Sequence, residues 1–183
     1  MNQKCRIFAV VFAFIFLTSQ MPVWADNNSD KEHAQTLLLD VVKRIATSDL
    51  RDTDNIGKIL GVHAEKTHDK HTNTEGRMNV ELQPAPPNLP KISGYSITES
   101  GGQIIFGGSR YCIDEKALTS YFGVPSSKII TTPDLGSFAG PAPQDIVYEI
   151  SRSDGHKTHL RSLLFPENNT QRLCASVLQI IQN

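Results

Sequence analysis

The chain has 183 residues, 18 Lys+Arg against 19 Asp+Glu, and a formal net charge of −1. That balance gives no basic stripe for nucleic acid and no attraction to an anionic membrane. Three cysteines and six histidines are the scarce, chemistry-bearing residues.

Lys4 and Arg6 precede the unbroken apolar run Ile7–Leu17. Eleven residues are too few to span a hydrocarbon core of about 30 Å but fit the apolar centre of a secretory signal. Val23-Trp24-Ala25 supplies the cleavage signature, so residues 1–25 read as a cleaved signal peptide and 26–183 as a single exported domain. Loss of Lys4 and Arg6 leaves 16 basic residues against 19 acidic, about −3 net. No second long apolar segment follows, so no stable membrane insertion is expected after cleavage. Cys112 and Cys174 remain, and an even count in an exported chain reads as a disulfide.

Ala34, Leu37, Leu38, Val41 and Ile45 recur at helical spacing and predict an N-terminal helix over Asp30–Thr47. Ile56, Ile59 and Leu60 predict a second short helix that Gly61 stops. The stretch 63–77 is polar and charged and reads as a mobile loop, while 83–90, with four prolines, reads as an extended connector. Between them Met78–Leu82 reads as an edge strand.

From Gly94 the pattern turns to strands: Tyr95 and Ile97, a Ser100-Gly101-Gly102 turn, then Gln103–Phe106. Asp114 caps a short central helix carrying Leu118, Tyr121 and Phe122, and Gly123 ends it. Thr132–Gln144 is a Pro/Gly-rich loop. Asp145–Arg152 and His156–Phe165 form a hairpin around Ser153-Asp154-Gly155. A three-residue loop with Gly155 in the left-handed region sets Tyr148 opposite Leu160 and places His159, Arg161 and Leu163 on one face with Val147 and Glu149. Leu173, Val177, Ile180 and Ile181 predict a C-terminal helix over Asn169–Gln182. No internal repeat is evident. The sum is an α+β fold: a mainly antiparallel sheet with N-terminal, short central and C-terminal helices and one disulfide.

Three functional readings follow. The first is a small exported, bacterial periplasmic, non-enzymatic protein that binds another protein outside the cytoplasm as an inhibitor or immunity-type protein. Its candidate contacts are Leu135 and Phe138 in the Pro/Gly loop and His159 and Arg161 on the hairpin, since loops on a stapled scaffold commonly carry binding residues. The second uses His63, His68 and His71, with Glu65 and Asp69 among them, as a transition-metal site, although no HExxH or companion cysteine supports it. The third is a hydrolase with an unrecognised site: a catalytic His156 or His159 needs a nucleophile and an orienting acid, and the sequence does not place Ser109, Asp134 or Ser137 near it. The Gly136–Gly140 stretch misses the nucleophile-elbow spacing, and the Gly101-Gly102 and Gly107-Gly108 pairs lack the Lys-Ser/Thr of a phosphate loop. No cofactor is expected.

Overall fold

The computed structural model describes residues 27–67, 76–85, 89–107, 112–130, 141–167 and 172–183. The signal peptide read from the sequence, 1–25, lies outside the described residues.

Three helices and eight strands follow in the order α1 (Asn27–Ala46), α2 (Thr53–Leu60), β1 (His63–Thr67), β2 (Met78–Gln83), β3 (Lys91–Ile97), β4 (Gly102–Gly107), α3 (Glu115–Phe122), β5 (Ser127–Ile130), β6 (Gln144–Ser151), β7 (Lys157–Pro166) and β8 (Leu173–Gln182). The strands form one antiparallel sheet in the order β1-β2-β3-β4-β8-β7-β6-β5.

That order is two copies of one plan. Each copy is a short helix followed by four consecutively paired strands, and the copies meet at the β4–β8 ladder. The sequence carries the repeat at the helices. Asp52 caps α2 by accepting from the Asn55 amide, and Asp114 caps α3 by accepting from the Ala117 amide. Gly61 and Gly123 end the two helices at positive φ, 69° and 83°, where a side chain would be strained. Ile56 and Leu118 hold the same place in each and are both buried. Asp52 to Asp114, Ile56 to Leu118 and Gly61 to Gly123 all share one offset of 62 residues. The expectation of no internal repeat is thus corrected: the repeat is too short and too divergent in its strands to show without the topology.

The C-terminal helix expected over 169–182 is also corrected: Leu173–Gln182 is strand β8, paired on both sides. Its apolar residues fit either period. Leu178, Ile180 and Gln182 alternate inward with Val177, Gln179 and Ile181 outward, and Val177, Ile180 and Ile181 are β-branched residues suited to a central strand. Ladders to β4 and β7 satisfy the backbone on both edges, which overrides a helical stripe. Likewise His63–Thr67 is a strand rather than part of a loop, so β1 and not β2 is the edge. Its polar sequence suits that place, with Ala64 alone buried.

One face of the sheet carries the core. Leu38, Val42 and Ile45 of α1, Ile56 of α2 and Leu118 of α3 pack on Ile104, Phe106, Ile146, Tyr148, Leu160, Leu164, Leu178 and Ile180, all buried. Helix α1 touches α2, α3, β7 and β8 and so lies over the junction of the two halves. The hairpin register matches the sequence expectation: Tyr148 faces Leu160, and Gly155 sits at φ 83° in a three-residue loop closed by the Arg152 amide donating to the His156 carbonyl.

The Ser162 hydroxyl is buried in this core without a hydrogen-bond partner. A hydroxyl removed from water and left unpaired is a net cost. Ser162→Ala should therefore raise stability by about 1 kcal/mol, read as a higher urea midpoint at unchanged m.

A polar cluster closes one end of the sheet. Asp49 accepts from Arg51 and lies 3.7 Å from Arg152, which also pairs with Asp154. Hydrogen bonds from the Arg51 side chain, against the opposing effect of burial, hold the Asp49 carboxyl at about 2 rather than 3.8. Its folded-state value lies below its unfolded one, so the stabilisation is present above about pH 4 and is lost as pH falls towards 2. The pair is substantially wet, so the contribution is about 1 kcal/mol or less. Asp49→Asn should be less stable than wild type by that amount at pH 6, and the two unfolding midpoints should converge near pH 2.

Candidate functional site: the open sheet face

Because side chains alternate along a strand, the register decides which residues share the face away from the helices. Three cross-strand rows lie there. The first runs Thr67, Asn79, Ser96, Gln103, Ile181, His159 and Glu149, from β1 to β6. The second runs Gly94, Ile105, Gln179, Arg161, Val147 and Ser127. The third runs Lys91, Gly107, Val177, Leu163, Asp145 and Ile129. Among the described residues no helix or strand packs on these rows.

The centre of the face is aliphatic. Ile105, Val177, Ile181, Leu163 and Val147 are each half-buried by their sheet neighbours. Around them stand polar groups already held in place. Arg161 reaches Asp145 through three contacts, Nε to Oδ1 and to Oδ2 at 3.0 Å each and Nη2 to Oδ2 at 2.6 Å. Lys157 bonds Glu149 at 2.5 Å, and that hydrogen bond, more than the added pull of His159, lowers the Glu149 carboxyl. Gln179 donates to Gln103 at 3.0 Å. Such pairing fixes long side chains before anything binds, which reduces the ordering cost of an interface.

Eight strands spaced about 4.8 Å apart give a sheet about 34 Å wide. With six residues of strand length this is roughly 700 Å² of face, close to one partner's share of a standard protein interface. From β4 to β6 the rows offer a broad surface rather than the concave pocket a small molecule needs.

Of the residues singled out from sequence, His159 and Arg161 stand side by side on this face, in adjacent rows. Leu135 and Phe138 lie outside the described residues, as do Ser109, Asp134 and Ser137. His63 is exposed on β1 at the far edge of the sheet, and its two proposed metal-site companions, His68 and His71, lie outside the described residues. Among the described residues one cluster has metal-ligand geometry: Cys112, Glu167 and Cys174. The two sulfurs are bonded to each other, so neither is a thiolate ligand. Val177, Ile181 and Ile105 were missed as surface residues because β8 reads as a helix, which sends Val177 and Ile181 to a buried stripe. The sequence Val177–Gln182 does not itself alternate; its only strand signal is the β-branched Val177, Ile180 and Ile181.

The Cys112–Cys174 disulfide is of the kind that persists in oxidising compartments. Among the described residues no helix is long and apolar enough to cross a membrane. No protein-family model, curated protein or solved structure matches this chain.

Proposed function

We propose that this is a small exported, non-enzymatic protein that binds another protein outside the cytoplasm through the open face of its sheet, in the manner of an inhibitor or immunity-type protein. The observation that carries this reading is the aliphatic centre of Ile105, Val177, Ile181 and Leu163, flanked on the β6–β7 side by the Arg161–Asp145 and Lys157–Glu149 pairs and left without a covering element among the described residues. A hydrophobic centre inside a polar rim is the anatomy of a protein interface. Export is supported by the apolar run Ile7–Leu17, by Val23-Trp24-Ala25 and by the disulfide. The periplasm is the compartment that best joins a short signal of this kind to an oxidised domain.

The test begins with native mass spectrometry on protein taken from the exported fraction of its own host. The partner chain identified there is then titrated against wild type and against an Arg161→Ala/Val177→Lys variant. Affinity should fall at least about tenfold, as for loss of a central anchor, while Lys116→Glu on the exposed side of α3 leaves it unchanged. Absence of any co-purifying chain, or equal affinity in the folded double variant, rules the reading out.

A further inference from the structure

The two halves of the sheet differ in one place. In the second half β6 and β7 pair at eight positions, from Gln144 opposite Leu164 to Ser151 opposite Lys157. Their counterparts β2 and β3 pair at two, Met78 opposite Ile97 and Asn79 opposite Ser96. Beyond Asn79 the strands part and leave a cleft of about 880 Å³ between them. The fold's own repeat shows the zipped form of this strand pair, so the opening is specific to the first half.

The chemistry of the cleft is that of a missing strand. On one lip Val80–Gln83 ladder to β1, and on the other Lys91–Tyr95 ladder to β4. The cleft side of both lips has no ladder partner among the described residues. Successive strand residues point opposite ways, so the lining divides by face. On the helix side it is apolar: Val80, Leu82, Leu89 and Ile92, with the ring of Tyr95. On the open side stands Glu81, directly opposite Glu65 across β1–β2, both exposed. Among the described residues neither carboxylate has an ion-pair partner, and like charges facing each other across a ladder are unfavourable. Continuing the β2–β3 register sets Glu81 level with Gly94, which has no side chain to fill the space beside it. Lys91, the cation on the far lip, lies three residues further along.

We infer that the gap between β2 and β3 receives an extended segment of a protein partner as an inserted strand, with apolar residues turned towards the core and a basic residue turned outward beside Glu81. Main-chain hydrogen bonds to both lips supply the affinity and the alternating side chains supply the selection. The unpaired length of β2 admits roughly four residues of extended chain. The inference stands apart from the open-face reading, and its test needs no natural partner.

The probe is a fluorescein-labelled octapeptide alternating lysine and valine, read by anisotropy against the full chain. Its control alternates glutamate and valine. Saturable binding of the lysine peptide is expected, with hydrogen exchange at the amides of Val80–Gln83 and Lys91–Tyr95 slowed at least about tenfold. The exposed substitution Glu81→Lys should weaken the lysine peptide about fivefold and favour the glutamate one. No saturation, binding without protection at those amides, or indifference to Glu81→Lys each overturns the inference. Binding of the valine-free analogue, alternating lysine and serine, with equal affinity would show surface electrostatics alone and overturn it too.

Discussion

Reducing the Cys112–Cys174 bond should lower the stability of this domain by about 4 kcal/mol. The two cysteines are 62 residues apart in sequence, with Cα atoms 4.7 Å apart. Cys112 lies just ahead of α3 and Cys174 near the start of β8, so the loop encloses α3, β5, β6 and β7, nearly the whole second copy of the repeat. Cross-linking a loop of that length removes much of the freedom of the unfolded chain, which is where the effect arises. In the folded state the bond reinforces a junction already made by the Ala175 amide donating to the Ile113 carbonyl at 2.8 Å. Single domains are stable by about 5–15 kcal/mol in total, so the reduced protein is left near its margin. Urea unfolding with and without reductant measures the effect. The reduced protein should also show a larger m, because its unfolded state expands. A Cys112→Ser/Cys174→Ser variant should match the reduced wild type and ignore the reductant. A shift below about 1 kcal/mol would mean that the unfolded chain is already compact across this loop.

This placement gives the repeat a mechanical meaning. The first copy has α2 against β1, and α1, which touches α2, reaches across to β7 and β8. The second copy has α3 on β6 and β8 and shares α1, and its enclosing disulfide ties the start of α3 to the start of β8. Among the described residues nothing covers the opposite face of the strands, and that face carries the binding reading.

Local signals were the most legible part of the sequence. Asp114 and Gly123 mark the two ends of α3, and Gly61 ends α2, because capping and left-handed termination are decided within a few residues. Gly155 fixed the hairpin register for the same reason, and that register put His159 and Arg161 on one face with Val147 and Glu149 before any tertiary contact was known. Where the residue pattern fitted two periods, sequence misled. Leu173–Gln182 contains apolar residues at both helical and strand spacing, and its fate is decided by β4 and β7, which are distant in the chain. His63–Thr67 lacks an apolar run altogether, and becomes a strand because β2 offers it a ladder. The open face follows from the same long-range pairing, so it could not be assembled from sequence beyond the one hairpin. The segments Asp52–Gly61 and Asp114–Gly123 share only their capping Asp and terminal Gly with an apolar residue between, and such a match gains meaning only when four strands follow each copy.

A large effect is also expected at Gln182, which is 4 % exposed at the end of β8. Its side-chain oxygen accepts from the Leu50 amide at 2.9 Å and from Arg152 Nη1 at 3.0 Å. Its nitrogen donates to the Ser48 carbonyl at 2.6 Å and to Thr158 Oγ1 at 3.0 Å. One amide thus ties the turn between α1 and α2 to the centre of the sheet, beside the Tyr95 hydroxyl that donates to the Leu50 carbonyl at 2.5 Å. Gln182→Leu keeps the volume and removes both donors and both acceptors. The Leu50 amide and the Ser48 carbonyl then face an apolar side chain, at about 1–3 kcal/mol for each buried group left unpaired. Arg152 retains Asp154 and Asp49, so the loss should total about 3–4 kcal/mol. Gln182→Glu tests the division: a carboxylate can still accept from Leu50 and Arg152 but cannot donate to Ser48 or Thr158. It should therefore fall between wild type and Gln182→Leu at neutral pH. Gln179→Leu is the comparison on the open face, where the amide bonds Gln103 alone and water reaches it. Its cost should stay within about 0.5 kcal/mol, as for substitutions on a surface. Equal losses at 179 and 182 would show that burial of the amide, and with it the clamp on the α1–α2 turn, contributes nothing to the fold.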